Sequence, residues 1–216
     1  MKILFFGDSI TDASRNRSSL TDISSLGYGF VRVIADRLTG NNPEKYEVIN
    51  TGIGGNRVVD LYARIKVDAW NLKPDVMSIL IGVNDVWHEV DWKNGVELDR
   101  FEAVYRMLIA DTKKALPNVQ IILCEPFVLK GRATDSTEVM PDRYERFCEV
   151  SKYAKVVEKL AAEFDLAFLP LQDAFTKAAE KSKAEYYLSD GVHPATAGAT
   201  LIADAWMKLF KEKIEK

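Results

Sequence analysis

Apolar positions along the chain follow two alternating patterns. Short unbroken apolar runs occur at Lys2-Ile3-Leu4-Phe5-Phe6, Val48-Ile49-Asn50, Val76 to Ile81, Ile121-Ile122-Leu123 and Ala167-Phe168-Leu169. Runs of this length, without a polar alternate, are what strands buried on both faces require. Between them the apolar positions return every three or four residues. Phe30 to Leu38 and Val58 to Val67 form two such stretches. Phe101, Val104, Tyr105, Leu108, Ile109 and Leu116 form a third, and a charged amphipathic stretch from Pro141 to about Glu163 a fourth. The last, Ala197 to Ile214, carries Leu201, Ile202, Ala205, Leu209 and Phe210. Each is predicted to be a helix laying one stripe on the sheet, and the proline at 141 suits a first helical turn.

Strands alternating with helices predict an α/β fold: a flavodoxin-like three-layer α/β/α sandwich on a five-stranded parallel sheet. No linker, repeat or low-complexity tract interrupts the alternation, so residues 1–216 are expected to form a single domain. The pattern leaves the strand order open. The polar, aperiodic segment from Lys130 to Met140 is predicted to be a surface loop bordering the site.

Open α/β sheets place ligands at the carboxyl ends of their strands, and three strand ends here carry suitable chemistry. The first run opens into Gly7-Asp8-Ser9-Ile10-Thr11, the second into Asn50 to Asn56 with Gly52, Gly54 and Gly55, the third into Gly82-Val83-Asn84-Asp85. We read all three as loops. Ser9 would stand at the mouth of the sheet. A serine hydroxyl needs a base, and Asp190-Gly191-Val192-His193 offers an imidazole with a carboxylate three residues away. Glycine backbone N–H groups and an asparagine amide are donors of the kind acyl transfer needs, because negative charge builds on the carbonyl oxygen in the transition state. This combination points to a serine hydrolase.

Taken together, the four blocks around Ser9, Gly55, Asn84 and His193 resemble the SGNH (GDSL) hydrolase family, and they occur in order over nearly the whole chain. The resemblance implies Ser9 as nucleophile, His193 as base and then acid, and Asp190 as the carboxylate orienting the ring. It implies an oxyanion hole of the Ser9 and Gly55 backbone N–H groups and the Asn84 amide, with no metal and no organic cofactor. Within the family the chain is most like bacterial acetylxylan esterases and related carbohydrate deacetylases, which implies hydrolysis of acetyl esters of xylo-oligosaccharide-type saccharides through an acyl-enzyme. Two other readings stay open. One is a thioesterase or lysophospholipase of the same family acting on longer acyl chains. The other is a non-catalytic flavodoxin-like domain whose glycine loops hold a phosphate.

The remaining expectations concern single residues. Trp87 is expected to offer a sugar ring a platform, and Arg57 to reach a substrate hydroxyl. Trp92 is a weaker platform, Trp70 and Trp206 are core residues, and His88 is a rim residue rather than the base. Asp8 is expected to hold the serine turn through backbone hydrogen bonds. Lys plus Arg number 29 against 32 Asp plus Glu, and the net charge of -3 without a basic run excludes a nucleic-acid footprint. No run reaches the length of a membrane span, and no secretory leader pattern opens the chain, so a cytoplasmic location and no membrane partner are expected. Cys124 and Cys148 are too few for a disulfide framework or a cysteine metal site, and both are read as buried thiols. Apolar residues on helical surfaces leave room for a homo-oligomer of unspecified size.

Overall fold

The computed structural model describes residues 1–215. The five strands are β1 (Lys2–Gly7), β2 (Glu47–Asn50), β3 (Val76–Leu80), β4 (Gln120–Cys124) and β5 (Ala167–Leu169). They form one parallel sheet in the order β2-β1-β3-β4-β5. The chain winds one way from β1 to β2 and the other way from β3 onward, so the crevice for a ligand lies between the carboxyl ends of β1 and β3. Ser9 follows β1 and Asn84 follows β3.

The helices are α1 (Ser9–Asp12), α2 (Phe30–Asn41), α3 (Val58–Asp68), α4 (Val83–Trp92), α5 (Leu98–Ala115), α6 (Arg143–Cys148), α7 (Val150–Glu163), α8 (Gln172–Lys181) and α9 (Thr196–Lys213). Helices α2 and α9 pack on each other, and α3, α5 and α7 form a second row. The period-two alternation of β1 assigns its side chains to the two layers. Phe5 meets Phe30 of α2 and Trp206 of α9 at centroid distances of 5.7 and 5.2 Å, whereas Phe6 lies under Arg64 of α3. Trp206 is fully buried, and its indole N–H donates to Ser78 Oγ at 3.1 Å, which satisfies the polar edge a buried tryptophan brings with it. Truncating such a residue to alanine costs on the order of 3–5 kcal/mol.

Four expectations are corrected. The segment after β3 is helix, not loop: α4 begins at Val83, directly after the last strand-end glycine. Ser9 likewise opens a single helical turn instead of a loop. The stretch from Pro141 to Glu163 is two helices meeting at Glu149, which is the C-cap of one and the N-cap of the next. Cys148 is exposed, because it lies on the outer side of α6 while Phe147 faces inward; Cys124 is buried as expected. Helix α8 has no counterpart in the sequence reading. Only Phe175 within it is fully buried, so its apolar stripe is too thin to register. Among the described residues no helix is long and apolar enough to cross a membrane.

Candidate active site

The Ser9 segment is built around Asp8. Its carboxylate accepts from Ile10 N–H at 2.9 Å and caps α1, so the Ser9 hydroxyl stands at the start of a helical turn at the sheet's carboxyl edge. Gly7 is required beneath it, since a Cβ there would lie 2.4 Å from Leu80 O and from Thr11 Oγ1. Ser9 Oγ lies 2.9 Å from His193 Nε2, and His193 Nδ1 lies 2.7 Å from Asp190 Oδ2. An ionised carboxylate only accepts, so Nδ1 carries the proton and Nε2 of the neutral ring is left to accept from the Ser9 hydroxyl.

The Asp190–His193 turn is closed on itself. Asp190 Oδ1 accepts from the N–H groups of Val192 and His193 at 2.9 and 2.8 Å. Burial works against the Asp190 charge, but the ring N–H of His193 and these two backbone N–H groups outweigh it and hold its pKa down at about 2. The same hydrogen bond from Asp190 raises the His193 pKa against the opposing effect of burial. The loop at 130–140 borders the site as expected and braces this turn: Ala133 N–H donates to Asp190 O at 2.8 Å and Leu129 N–H to Gly191 O at 2.9 Å.

The second arm is the loop after β2. Gly55 adopts a left-handed φ of 82°, a conformation costly for any other residue. The neighbouring amides have partners, Gly54 N–H on Asp12 Oδ2 at 3.0 Å and Asn56 N–H on Ile53 O at 3.2 Å. The Gly55 N–H between them donates to no described residue. Asn84 gives one amide proton to Asn56 O at 3.1 Å, which leaves the other available. Two residues outside the expected set fasten this loop. Asp12 also accepts from Arg15 N–H and pairs with Arg17. Arg64 donates to Gly7 O, Thr51 O, Asn56 Oδ1 and Asp68 at 2.7 to 3.0 Å, joining β1, the loop and α3. Neither role had a signal in the sequence, because each depends on the fold closing a gap of tens of residues.

Beneath the site lie two buried carboxyls. Asp8 and Asp85 are both fully buried, and each leaves its Oδ2 without a partner. Asp85 Oδ1 accepts from Val58 N–H at 3.0 Å and so caps α3. Burial raises their pKa values to about 7 and about 8, against the backbone N–H groups that each accepts from; for Asp85 the nearby Asp8 adds to the rise. Asp8 therefore holds the serine turn, as expected, and Asp85 is a helix cap, but of α3 across the fold rather than of its own segment.

A cleft of about 560 Å³ opens beside Ser9 and His193, with Asp12, Arg15, Arg17 and Pro194 on its walls. Neither Trp87 nor Arg57 lines it. Trp87 lies 5.8 Å from the His193 ring, meets Phe147 in a T-shaped contact and gives its indole N–H to Asp91 at 2.7 Å. The Arg57 guanidinium is taken up by Asp60 and by Asn94 O, which ties α3 to the end of α4. His88 sits at the rim, its Nε2 4.0 Å from the position a Cβ on Gly55 would occupy. Trp92 packs edge-on against His88 and is 62% exposed. No described group of three or more His, Cys, Asp or Glu residues is arranged to hold a metal ion.

Residues 5–201 match the model of the GDSL-like lipase/acylhydrolase family. The chain is 36% identical to an acetylxylan esterase of Geobacillus stearothermophilus, over 96% of this chain and 92% of that protein. A crystal structure of that esterase superposes with a TM-score of 0.83 at 35% identity, covering 96% of this chain and 93% of the other. Structures of it include catalytic mutants in which a serine, an aspartate or a histidine is replaced by alanine, the last two lying three positions apart. A Parabacteroides merdae protein assigned as a GDSL-like lipase superposes with a TM-score of 0.86 at 38% identity, covering 98% of this chain and 96% of that one. The chain belongs to the GDSL-like lipase/acylhydrolase family and is a carboxylic-ester hydrolase.

Proposed function

We propose that the protein removes acetyl groups from saccharide hydroxyls, on xylo-oligosaccharide-type substrates, through an acyl-enzyme on Ser9. The observation that carries the reading is the unbroken row Ser9 Oγ, His193 Nε2, His193 Nδ1, Asp190 Oδ2, with steps of 2.9 and 2.7 Å across its two hydrogen bonds. His193 takes the hydroxyl proton as Ser9 Oγ attacks the ester carbonyl, and Asp190 stabilises the imidazolium that results. The Ser9 and Gly55 backbone N–H groups and the free Asn84 amide proton receive the negative oxygen. His193 then protonates the departing sugar oxygen, and water, activated by the same imidazole, releases acetate from Ser9. Trp87 walls the imidazole, and Arg57 steadies α3 rather than reaching the substrate.

The walls of the cleft set hydroxyl, guanidinium and carboxylate groups beside the apolar Ile10, Ala13 and Pro194, a mixed lining that suits a sugar ring with its polar rim and apolar faces. The relative of known activity is an acetylxylan esterase. The deciding experiment compares acetylated xylo-oligosaccharides with p-nitrophenyl acetate and octanoate, using wild type and Ser9→Ala, and maps covalent labelling by a serine-directed phosphonate. Acetyl preference with labelling at Ser9 is expected. A strong octanoate preference would replace the deacetylase by a longer-chain esterase, and absence of labelling would remove the acyl-enzyme.

A further inference from the structure

We propose that the cleft beside Ser9 holds an anionic substituent of the alcohol part of the substrate, so that the preferred esters are acetylated saccharides bearing a carboxylate. The inference rests on the saccharide reading above and narrows it. It starts from the charges that face the cleft. Two guanidiniums line it, Arg15 and Arg17, against one carboxylate, Asp12. That carboxylate is already committed: it is buried, pairs with Arg17 and accepts the N–H groups of Gly54 and Arg15.

Arg15 is therefore left over. Its guanidinium makes one hydrogen bond, from Nε to Gly52 O at 2.8 Å, and no described carboxylate lies within ion-pairing distance of it. It is half-buried, and burial pushes its pKa down; the charges of Asp12 and Asp68 pull upward and those of Arg17 and Arg64 downward, with no described carboxylate close enough to pair with it directly. A guanidinium does not shed its proton in a protein, so a partly desolvated one without a counter-ion is completed by an anion from outside. The planar carboxylate of a uronic acid matches the fork left by the two Nη groups of Arg15 better than a neutral hydroxyl does. The excess is local: the chain as a whole carries a net charge of -3, so the feature is not a generally basic surface. Ala13 and Ser14, both at positive φ of 44° and 60°, turn the chain after α1 just ahead of Arg15.

The test is a matched pair of acetylated xylo-oligosaccharides, with and without one glucuronic acid branch, measured as kcat/KM at low and high ionic strength. Wild type is expected to favour the acidic member by about tenfold at low salt, with the preference collapsing at about 0.5 M salt as screening removes it. Arg15→Gln is expected to bring the ratio close to one under both conditions. A wild-type ratio of one or below, or an unchanged ratio in Arg15→Gln, overturns the proposal. If that variant does not fold, competition on wild type replaces it: glucuronate should inhibit at lower concentration than xylose at low salt, and equal inhibition overturns the proposal. Rapid hydrolysis of the neutral oligosaccharide at a ratio of one would refute the anion subsite alone. Failure to hydrolyse either saccharide while octanoate esters are cleaved would refute the saccharide reading and the subsite with it.

Discussion

The turn from Asp190 to His193 and the loop from Gly52 to Asn56 supply opposite halves of the site, and they are held in place in opposite ways. The turn is local. One carboxylate receives two backbone N–H groups and a ring N–H, all within three residues, and a bridge between Leu188 and Pro194 closes its base. The loop is held from a distance, by Asp12 on Gly54, Arg15 on Gly52, Arg64 on Thr51 and Asn56, and Asn84 on Asn56. A base in the proposed role must keep one tautomer and one orientation, which the carboxylate three residues away secures. An oxyanion donor must keep its position relative to a serine on another strand, and only contacts spanning both can secure that.

Both halves serve one atom, the Ser9 hydroxyl oxygen, and its removal is expected to have the largest effect. Ser9→Ala is expected to lower kcat by roughly a millionfold with the thermal midpoint unchanged, and a variant that keeps its turnover would dissolve the pairing of the two halves. On the base side, Asp190→Asn is expected to cost about 10⁴ in kcat, because an amide opposite Nδ1 no longer favours the required tautomer. On the donor side, Asn84→Ala is expected to cost about 10²–10³ in kcat with KM nearly unmoved, as for a single oxyanion donor elsewhere.

Smaller effects test whether the loop depends on its distant holders. Asp12→Asn sets an amide N–H against a backbone N–H, since Asp12 uses one oxygen for Arg15 and the other for Gly54. Arg64→Lys leaves one ammonium where Nε and both Nη groups donate. Each is expected to lower kcat about tenfold, equivalent to about 1.4 kcal/mol of barrier, while active-site titration still counts every molecule. A fall in the titratable fraction at constant kcat per site would mean that these residues only support folding.

The same contrast explains what could be read from the chain. The five strands were legible because a sheet covered on both faces needs uninterrupted apolar runs, and β1 and β3 are such runs. The hydrogen-bonded row of Ser9, His193 and Asp190 was legible because Asp190 and His193 lie close in sequence and Ser9 sits at a strand end. Helix α4 was not, because Gly82, Asn84 and Asp85 read as loop residues, whereas tertiary contacts bury Asn84 and Asp85 in its first turn. Asp12, Arg64 and Asp85 were not, because a charged residue in a loop or on a helix looks the same in sequence whether it faces water or fastens a segment elsewhere in the fold. The order of the strands depended on crossover choices that no local pattern records.

The last prediction concerns stability and separates the site's carboxyls by sign. Asp190, held down at about 2, contributes stability that is full above the unfolded value near 3.8 and is lost as pH falls between them. Asp85, raised to about 8, behaves in reverse. Between about pH 4 and pH 8 the folded state keeps a proton that the unfolded chain has released, so each step upward in pH removes stability. Asp85→Asn cannot titrate, yet it retains an oxygen for Val58 N–H. Its thermal midpoint is therefore expected to lie below that of wild type at pH 5, where the protonated acid can rotate its O–H toward a partner, and to approach or pass it by pH 9. For Asp190→Asn the carboxylate's contribution to the gap from wild type is expected to be constant above about pH 4 and to shrink below it, as wild type loses the stability that the ionised Asp190 gives. Parallel midpoint curves for Asp85→Asn and wild type from pH 5 to 9 would show that Asp85 is not the group whose burial works against the fold.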